Sequence, residues 1–207
     1  AGNHDSPERL NFGSRLLNQS GLHLVGQLSP EPAVLTFTDT HGPVYVGAIP
    51  YAEPAVARER LSDSSLTDHA VTLRALVERA RKAIPANSRS VLMAHAFVAG
   101  CAESDSERPL SVGGTGAVPP AVFEGFHYTA LGHLHRPQAL HDGRIQYSGS
   151  LLKYSFSEVT HTKSVTLVEI DEKGEGQSER IPLYPQRDVR WIEGHFDDLM
   201  RSEVSDG

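Results

Sequence analysis

Two runs of apolar residues end directly in histidine, and this arrangement constrains the fold most strongly. "SVLMAHAFV" runs into His95, and "YTALGHLH" runs into His133 and His135. Apolar runs of this length without alternation are typical of strands buried on both faces of a parallel sheet. Because the carboxyl ends of parallel strands meet at one edge of a sheet, the pattern predicts an α/β domain with its site at that edge.

The remaining patterns predict helices and strands around this sheet. "PAVLTFTD" and "GPVYVGAIPY" alternate around His41-Gly42, which predicts a hairpin. "SPERLNFGSRLLNQSG" predicts one helix that begins after Ser6 and ends at Gly21. "LTDHAVTLRALVERARKAI" predicts an amphipathic helix capped by Thr67. Its apolar stripe comprises Leu66, Ala70, Leu73, Val77, Ala80 and Ile84.

The pattern changes after residue 184. "QRDVRWIEGHFDDLMRSEVSDG" has a small apolar set of its own that does not continue the preceding strands. We therefore predict a core domain over residues 1–184 and the start of a second domain over residues 185–207.

Charge and cysteine usage exclude some classes of protein. The 26 acidic and 19 basic residues give a net charge of −7, which by itself argues against a nucleic-acid binder but not against a metal site. Cys101 is the single cysteine, so no intrachain disulfide can form, as suits a reducing cytosol. No stretch approaches the roughly 18 apolar residues of a membrane span. We expect a cytoplasmic protein.

Three separate segments place metal-ligand residue types where strands end: Asn3-His4-Asp5, His95 and the pair His133 and His135. In an extended backbone, residues two apart point to the same side, so the pair would face one cavity while Leu134 faces the core. Imidazole nitrogen combined with amide or carboxylate oxygen suits manganese, iron or zinc. The joint occurrence of the segments predicts a metal site.

Each segment alone has a structural alternative. A single histidine after a strand, such as His95, is more often structural, and Asn3-His4-Asp5 could form a helix-capping turn. Arg136 would contact a phosphate or pair with a local carboxylate. Ser148-Gly149-Ser150 and Lys153 would line the same rim or form a tight turn. The histidines interpreted as non-ligands are His23, His41, His69, His127, His141, His161 and His195.

The motifs also resemble a known family. "GNHD", a solitary "AH" and "GHLH", in this order, are similar to the later motifs of the calcineurin-like metallophosphoesterases. Within that superfamily, "ERPLSVGG", "YTALGHLHRPQ", "IQYSGSLLKYSFSE" and "HTKSVTLVEI" resemble the SbcD-type nuclease subunits of bacteria. The resemblance covers essentially the whole chain and implies a layered fold of sheets flanked by helices.

The resemblance also implies a two-metal site, with manganese as the usual ion. Asn3, His95 and His133 would bind one metal, and His135 would reach the other. His4 would contact the phosphate and protonate the leaving 3′ oxygen, and Asp5 would orient His4.

The family's first two motifs, an Asp-x-His and a Gly-Asp, would precede "GNHD" on two earlier strands. We expect no Asp-x-His at a strand end before residue 95. We therefore expect a fragment that lacks the first strands and the complete C-terminal cap, with weak metal affinity and no activity of its own.

The implied parent is the nuclease subunit of an SbcCD-like DNA repair and recombination complex. It would be a homodimer within a heterotetramer, with ATP-dependent duplex processing through an SbcC-like ATPase partner. The alternatives are another calcineurin-like phosphatase or phosphodiesterase, and a non-catalytic scaffold of the same fold.

Overall fold

The computed structural model describes residues 1–107 and 116–201, so most of "ERPLSVGG" lies outside the described residues. The α-helices of the described part are α1 (Pro7–Asn11), α2 (Ser14–Gln19), α3 (Pro54–Leu61), α4 (His69–Ala83) and α5 (Phe196–Arg201). The strands are β1 (Ala33–Asp39), β2 (Gly42–Ile49), β3 (Arg89–His95), β4 (Tyr128–Gly132), β5 (Gln138–Leu140), β6 (Ile145–Tyr147), β7 (Ser164–Ile170) and β8 (Gly176–Pro182). Short 3₁₀ turns cover Pro120–Phe123, His141–Gly143 and Phe156–Glu158.

Six strands form a mixed sheet in the order β1-β2-β3-β4-β6-β5. β2, β3, β4 and β6 are parallel, whereas β1 and β5 pair antiparallel at the two edges. His95 pairs with Gly132 at the carboxyl ends of β3 and β4, the central strands. The α/β prediction is confirmed, and both histidine-bearing strand ends lie at the same edge.

Helix α4 covers one face of this sheet. Its buried residues, Leu73, Leu76, Val77 and Ala80, join a core that includes Leu92 of β3. The helix begins one residue later than predicted: Asp68, not Thr67, is the N-cap, and its carboxylate accepts a hydrogen bond from Val71 N at 2.9 Å. An aspartate cap satisfies a backbone donor that would otherwise have no partner.

The predicted first helix is divided in the structure. Ser6 caps α1 as expected, but Gly13 has φ +76° and separates α1 from α2. A left-handed residue cannot continue a right-handed helix, and glycine adopts this conformation without steric cost. The prediction of a single helix through Gly21 was therefore wrong.

The chain leaves the six-stranded sheet after β6. β7 and β8 form a separate antiparallel hairpin, and α5 follows after residues 183–195, which contain no helix or strand. Lys153 Nζ lies 2.7 Å from the carboxylate of Asp188, so this later segment contacts the core. The domain boundary after residue 184 stays a prediction. Within the described residues, no helix has the length and apolar character that crossing a bilayer requires.

Candidate metal centre at the carboxyl ends of β3 and β4

The first five residues are fixed against the sheet by backbone hydrogen bonds. The Ala1 amino group donates to Val25 O at 3.0 Å, and Ala1 O accepts from Tyr51 N at 2.9 Å. Asp5 N donates to Gly2 O at 3.2 Å, which closes a turn. This turn places Asn3 Oδ1 2.9 Å from His95 Nε2. Two of the predicted ligand residues are therefore in direct contact.

Two glycines make room for the His95 ring. A Cβ atom at Gly2 would lie 2.7 Å from His95 Cε1, and one at Gly132 would lie 3.0 Å from His95 Nδ1. The first distance is too short for a Cβ atom, and the second would require the His95 ring to shift by a few tenths of an ångström. The absence of Cβ at Gly132 thus prevents crowding of the His95 ring, and Gly2 has the same role.

His133 lies beside His95 but beyond the end of β4. Its ring centroid is 5.3 Å from that of His95, and the residue is 8% exposed. Its φ is +117°, which is outside the extended region. The argument that His133 and His135 alternate along a strand was therefore wrong for His133, although Leu134 is buried as that argument expected.

The environment keeps both central imidazoles neutral. Burial, reinforced by the charge of His133, lowers the pKa of His95 to about 4. Burial and the charges of His135 and His4 lower the pKa of His133 to about 4 as well. A histidine binds a metal through the lone pair of a neutral ring. The two side chains are therefore in the protonation state that coordination requires at neutral pH.

The donor atoms at this position fit a divalent ion. His133 Nε2 is buried and has no hydrogen-bond partner among the described residues, which is costly for a polar atom without a ligand. Two ligand atoms that bind one ion at right angles, each at about 2.1 Å, lie about 3 Å from each other. The distance between Asn3 Oδ1 and His95 Nε2 is close to this value.

A fully preformed cage is not present in this part of the chain. Across residues 1–107 and 116–201, no group of three or more His, Cys, Asp or Glu side chains is arranged to hold a metal ion. The set Asn3, His95 and His133 contains one amide and two imidazoles.

His135 follows His133 by two residues and has contacts of its own. Its Nδ1 atom is 2.9 Å from Glu158 Oε1 and 3.0 Å from Ser106 Oγ, and its ring centroid is 5.7 Å from that of Tyr154. The charge of His135 depresses the pKa of His133, so the two rings are electrostatically coupled. The structure thus brings His135 near the other histidines, with a different set of supporting contacts.

His4 and Asp5 lie on the exposed side of this cluster. The charge of His4 contributes to the lowered pKa of both His95 and His133. The Asp5 carboxylate accepts a hydrogen bond from Gly2 N at 2.7 Å and thereby stabilises the turn. Its predicted action on His4 stays a prediction.

Arg136 is exposed next to His135, and its charge contributes to the lowered pKa of His161. Neither of its two predicted roles is tested by this placement. The Lys153 amino group donates to Val159 O at 2.9 Å and to Asp188 at 2.7 Å. Lys153 therefore has local partners that explain its position.

An Asp-x-His does follow a strand before residue 95, which corrects the sequence prediction. Asp39-Thr40-His41 lies at the turn between β1 and β2. Asp39 forms two hydrogen bonds with the Arg89 guanidinium, at 2.8 and 2.5 Å. Arg89 is the first residue of β3 and His95 is the last. The Asp39-Thr40-His41 turn therefore lies near the amino end of β3, whereas the candidate centre lies at its carboxyl end.

Sequence reasoning missed the residues that support His135. Glu158 and Lys163 are both buried and in contact with each other at 2.5 Å. Charged side chains are rarely buried unless they are paired. Glu158 and Lys163 each lie in a segment whose sequence is typical of a turn or of the start of a strand. The only signal was their short separation in "SEVTHTK", which pairs opposite charges five residues apart.

Comparison with known proteins shows what this chain is similar to. No protein-family model matches the chain. The chain is 32% identical, over 206 residues, to the SbcD component of the SbcCD nuclease of Staphylococcus epidermidis, and the match covers 99% of the chain. The chain is similar to an SbcD nuclease subunit. The predicted resemblance is thereby confirmed.

The relationship also accounts for the architecture. A six-stranded mixed sheet flanked by helices, with candidate ligands at the carboxyl ends of its central strands, agrees with the metallophosphoesterase-like fold expected of SbcD relatives. The match covers 54% of the staphylococcal SbcD protein, so the chain spans about half the length of that relative.

Proposed function

We propose that this SbcD relative supplies part of the active site of a nuclease that hydrolyses DNA phosphodiester bonds with two divalent ions, manganese being the ion of choice. The observation that carries this proposal is the meeting of Asn3 Oδ1 with the neutral His95 imidazole, beside the unpartnered Nε2 of His133. These three residues would hold one ion, and His135 would reach the second. Bound divalent ions would neutralise the phosphodiester charge and activate the attacking water.

The side chains of the chain itself would then bind and protonate the substrate. The exposed position of His4 allows its ring to contact a phosphate oxygen without entering the metal set. We propose that His4 donates its ring proton to the leaving 3′ oxygen, the task of a general acid. Asp5 would restrict the orientation of His4 from the same turn, and exposed Arg136 would contact a neighbouring phosphate.

The wider assembly is part of the same proposal. The relative is named as one component of a nuclease, SbcCD. We propose that this protein acts in the bacterial cytoplasm as a homodimer within a heterotetramer, with an SbcC-like ATPase that controls access to duplex DNA during repair and recombination. A net charge of −7 is unfavourable for DNA binding by this chain alone, which is consistent with a need for a partner and for metal ions.

A chimaera tests this function in a complete protein. The aligned region of the staphylococcal SbcD protein would be replaced by this chain, and manganese-dependent cleavage of linear duplex DNA would be measured. We expect cleavage that His4→Gln abolishes and that His195→Gln, a matched change outside the site, leaves intact. A folded chimaera that binds manganese but leaves DNA uncut would overturn the nuclease proposal.

Two parallel assays separate the alternatives. Turnover of a small phosphodiester without cleavage of DNA would favour a phosphodiesterase of the same fold. We expect no cleavage by the 207-residue chain alone. The resemblance assigns further metal ligands to an Asp-x-His motif and a Gly-Asp motif. Within the described residues, neither motif lies at the strand ends beside the candidate centre.

A further inference from the structure

Glu158 is a buried carboxylate at the back of His135. Its side chain is 0% exposed, and its oxygens contact three groups from separate segments. Oε1 lies 2.9 Å from His135 Nδ1 and accepts a hydrogen bond from Ser106 Oγ at 2.5 Å, and Oε2 accepts one from Lys163 Nζ at 2.5 Å. Burying a charge is costly unless each of its atoms is satisfied, and here both oxygens are.

Lys163 connects this carboxylate to the backbone that presents His135. Its Nζ atom donates to His135 O at 2.9 Å and to Ser150 Oγ at 2.8 Å, in addition to Glu158. The Lys163 side chain is 3% exposed. The ammonium group therefore fixes the Glu158 carboxylate and the main chain of His135 at the same time.

The contacts of Glu158 determine which His135 nitrogen carries the hydrogen. One Glu158 oxygen accepts from the Lys163 ammonium and the other from the Ser106 hydroxyl, which is the arrangement of an ionised carboxylate. An ionised carboxylate has no hydrogen to donate, so His135 Nδ1 must be the donor in the contact between them. The other ring nitrogen, Nε2, is then left with its lone pair.

We propose that Glu158, held by Lys163, is a positioning residue that fixes His135 as the Nδ1–H tautomer and so directs the Nε2 lone pair toward a metal ion. This inference rests on the proposed function for the metal, but the tautomer belongs to the chain itself. Carboxylates that orient a metal-binding histidine in this way commonly change metal affinity by about 10- to 100-fold when removed.

Glu158→Gln gives a specific test because Lys163 constrains the amide. The Lys163 ammonium only donates hydrogen bonds, so it selects the carbonyl oxygen of the new side chain. The amide nitrogen then faces His135 and donates to Nδ1. We expect the imidazole to change to the Nε2–H tautomer, which removes the lone pair from the metal side.

Nitrogen-15 NMR of the histidine rings in the metal-free 207-residue chain reports the tautomer directly. Spectra at about pH 8.5 keep ordinary imidazoles neutral, and the signal lost in His135→Gln identifies His135. We expect the Nδ1–H form in the wild-type chain and the Nε2–H form in Glu158→Gln. The matched control is Glu172→Gln, which removes a carboxylate 3.7 Å from exposed His41 and should leave the His135 signal unchanged.

The wild-type spectrum keeps the proposal falsifiable if Glu158→Gln does not fold. An Nε2–H signal for His135 in the wild-type chain, or an unchanged tautomer in folded Glu158→Gln, would overturn it. Calorimetric titration with Mn²⁺ adds a second readout, and we expect about 10-fold or greater weakening in Glu158→Gln. Equal affinity in the two proteins would refute the positioning role. Absence of Mn²⁺ binding to the wild-type chain, with the expected tautomer, would instead count against the metal site of the proposed function.

Discussion

Asn3 Oδ1 and His95 Nε2 lie 2.9 Å apart although 92 residues separate them in the chain. The contact joins the turn before α1 to the carboxyl end of β3. Neither segment alone presents two ligands to one position. Any ion held there therefore depends on the docking of the first five residues against the sheet.

Replacement of Asn3 by alanine tests this dependence. We expect Asn3→Ala to weaken Mn²⁺ binding by about 10-fold or more, since removing a ligand should cost at least as much as removing a supporting group. Isothermal titration calorimetry measures the affinity. Asn18→Ala, at an exposed position of α2, is the matched control. Equal Mn²⁺ affinity in Asn3→Ala and the wild-type chain would exclude Asn3 from the ligand set.

Gly2 offers a test of geometry that changes no ligand. In Gly2→Ala the added Cβ would lie 2.7 Å from His95 Cε1, so the ring or the turn must move. We expect weaker Mn²⁺ binding, by about 10-fold, because small displacements of supporting groups perturb metal sites. Calorimetry again gives the affinity. Gly176→Ala, where the nearest heavy atom would be 3.8 Å away, should bind Mn²⁺ like the wild-type chain. Unaltered binding by Gly2→Ala would show that close packing around His95 is unimportant.

Asp39 provides a prediction about pH and stability. Hydrogen bonds from Arg89, which outweigh the effect of burial, lower the pKa of Asp39 to about 2. Because the folded pKa is below the ordinary value, this interaction stabilises the fold above about pH 4, and the stabilisation is lost as pH falls toward 2. Urea unfolding over this range should show a decline that Asp39→Asn reduces.

The same variant separates stability from metal binding. Asp39→Asn should lower the free energy of unfolding at neutral pH because Arg89 is buried and loses its charged partner. It should leave Mn²⁺ affinity unchanged, because this turn lies at the opposite edge of the sheet. Asp197→Asn on exposed α5 is the control for loss of one negative charge. A large loss of Mn²⁺ affinity in Asp39→Asn alone would mean that its Asp-x-His belongs to the metal site.

Tyr147 connects β6 to the segment after His95. The Tyr147 hydroxyl donates to Ala96 O at 2.7 Å and accepts from Val98 N at 3.0 Å, and the side chain is fully buried. Tyr147→Phe leaves both backbone groups without this partner, so we expect a loss of about 1–3 kcal/mol in the free energy of unfolding, measured in urea. Tyr184→Phe, at an exposed position, should unfold like the wild-type chain. Equal stability of Tyr147→Phe would show that water replaces the hydroxyl.

The sequence predicted most of the fold because the main elements have strong periodicity. The hairpin around His41-Gly42, the long helix and the two buried strands ending at His95 and near His133 are all present. Short elements were less predictable: α3 was not foreseen, since it has only eight residues and Ala57 is its one buried residue. The break at Gly13 was missed because its flanks both favour helix.

The candidate site was predictable to the level of residue types but not of supporting contacts. Strand-end placement was correct for His95, which ends β3 beside the end of β4, because parallel topology brings strand ends together. It was wrong for Asn3, which lies in a turn that no described strand precedes and reaches His95 through tertiary packing. The left-handed backbone at His133 and the buried pair of Glu158 and Lys163 arise from tertiary packing. Apart from the opposite charges in "SEVTHTK", local sequence patterns contain no signal for these features.

The backbone of His133 has a consequence for protein engineering. At φ +117° glycine is the residue that adopts the conformation most readily, so His133→Gly is the exchange that a search for greater thermal robustness would favour. Selection for heat tolerance alone would thus tend to replace His133, whereas selection for catalysis must retain its imidazole. Retention of histidine at this position in variants chosen only for robustness would point to packing as its reason for being there.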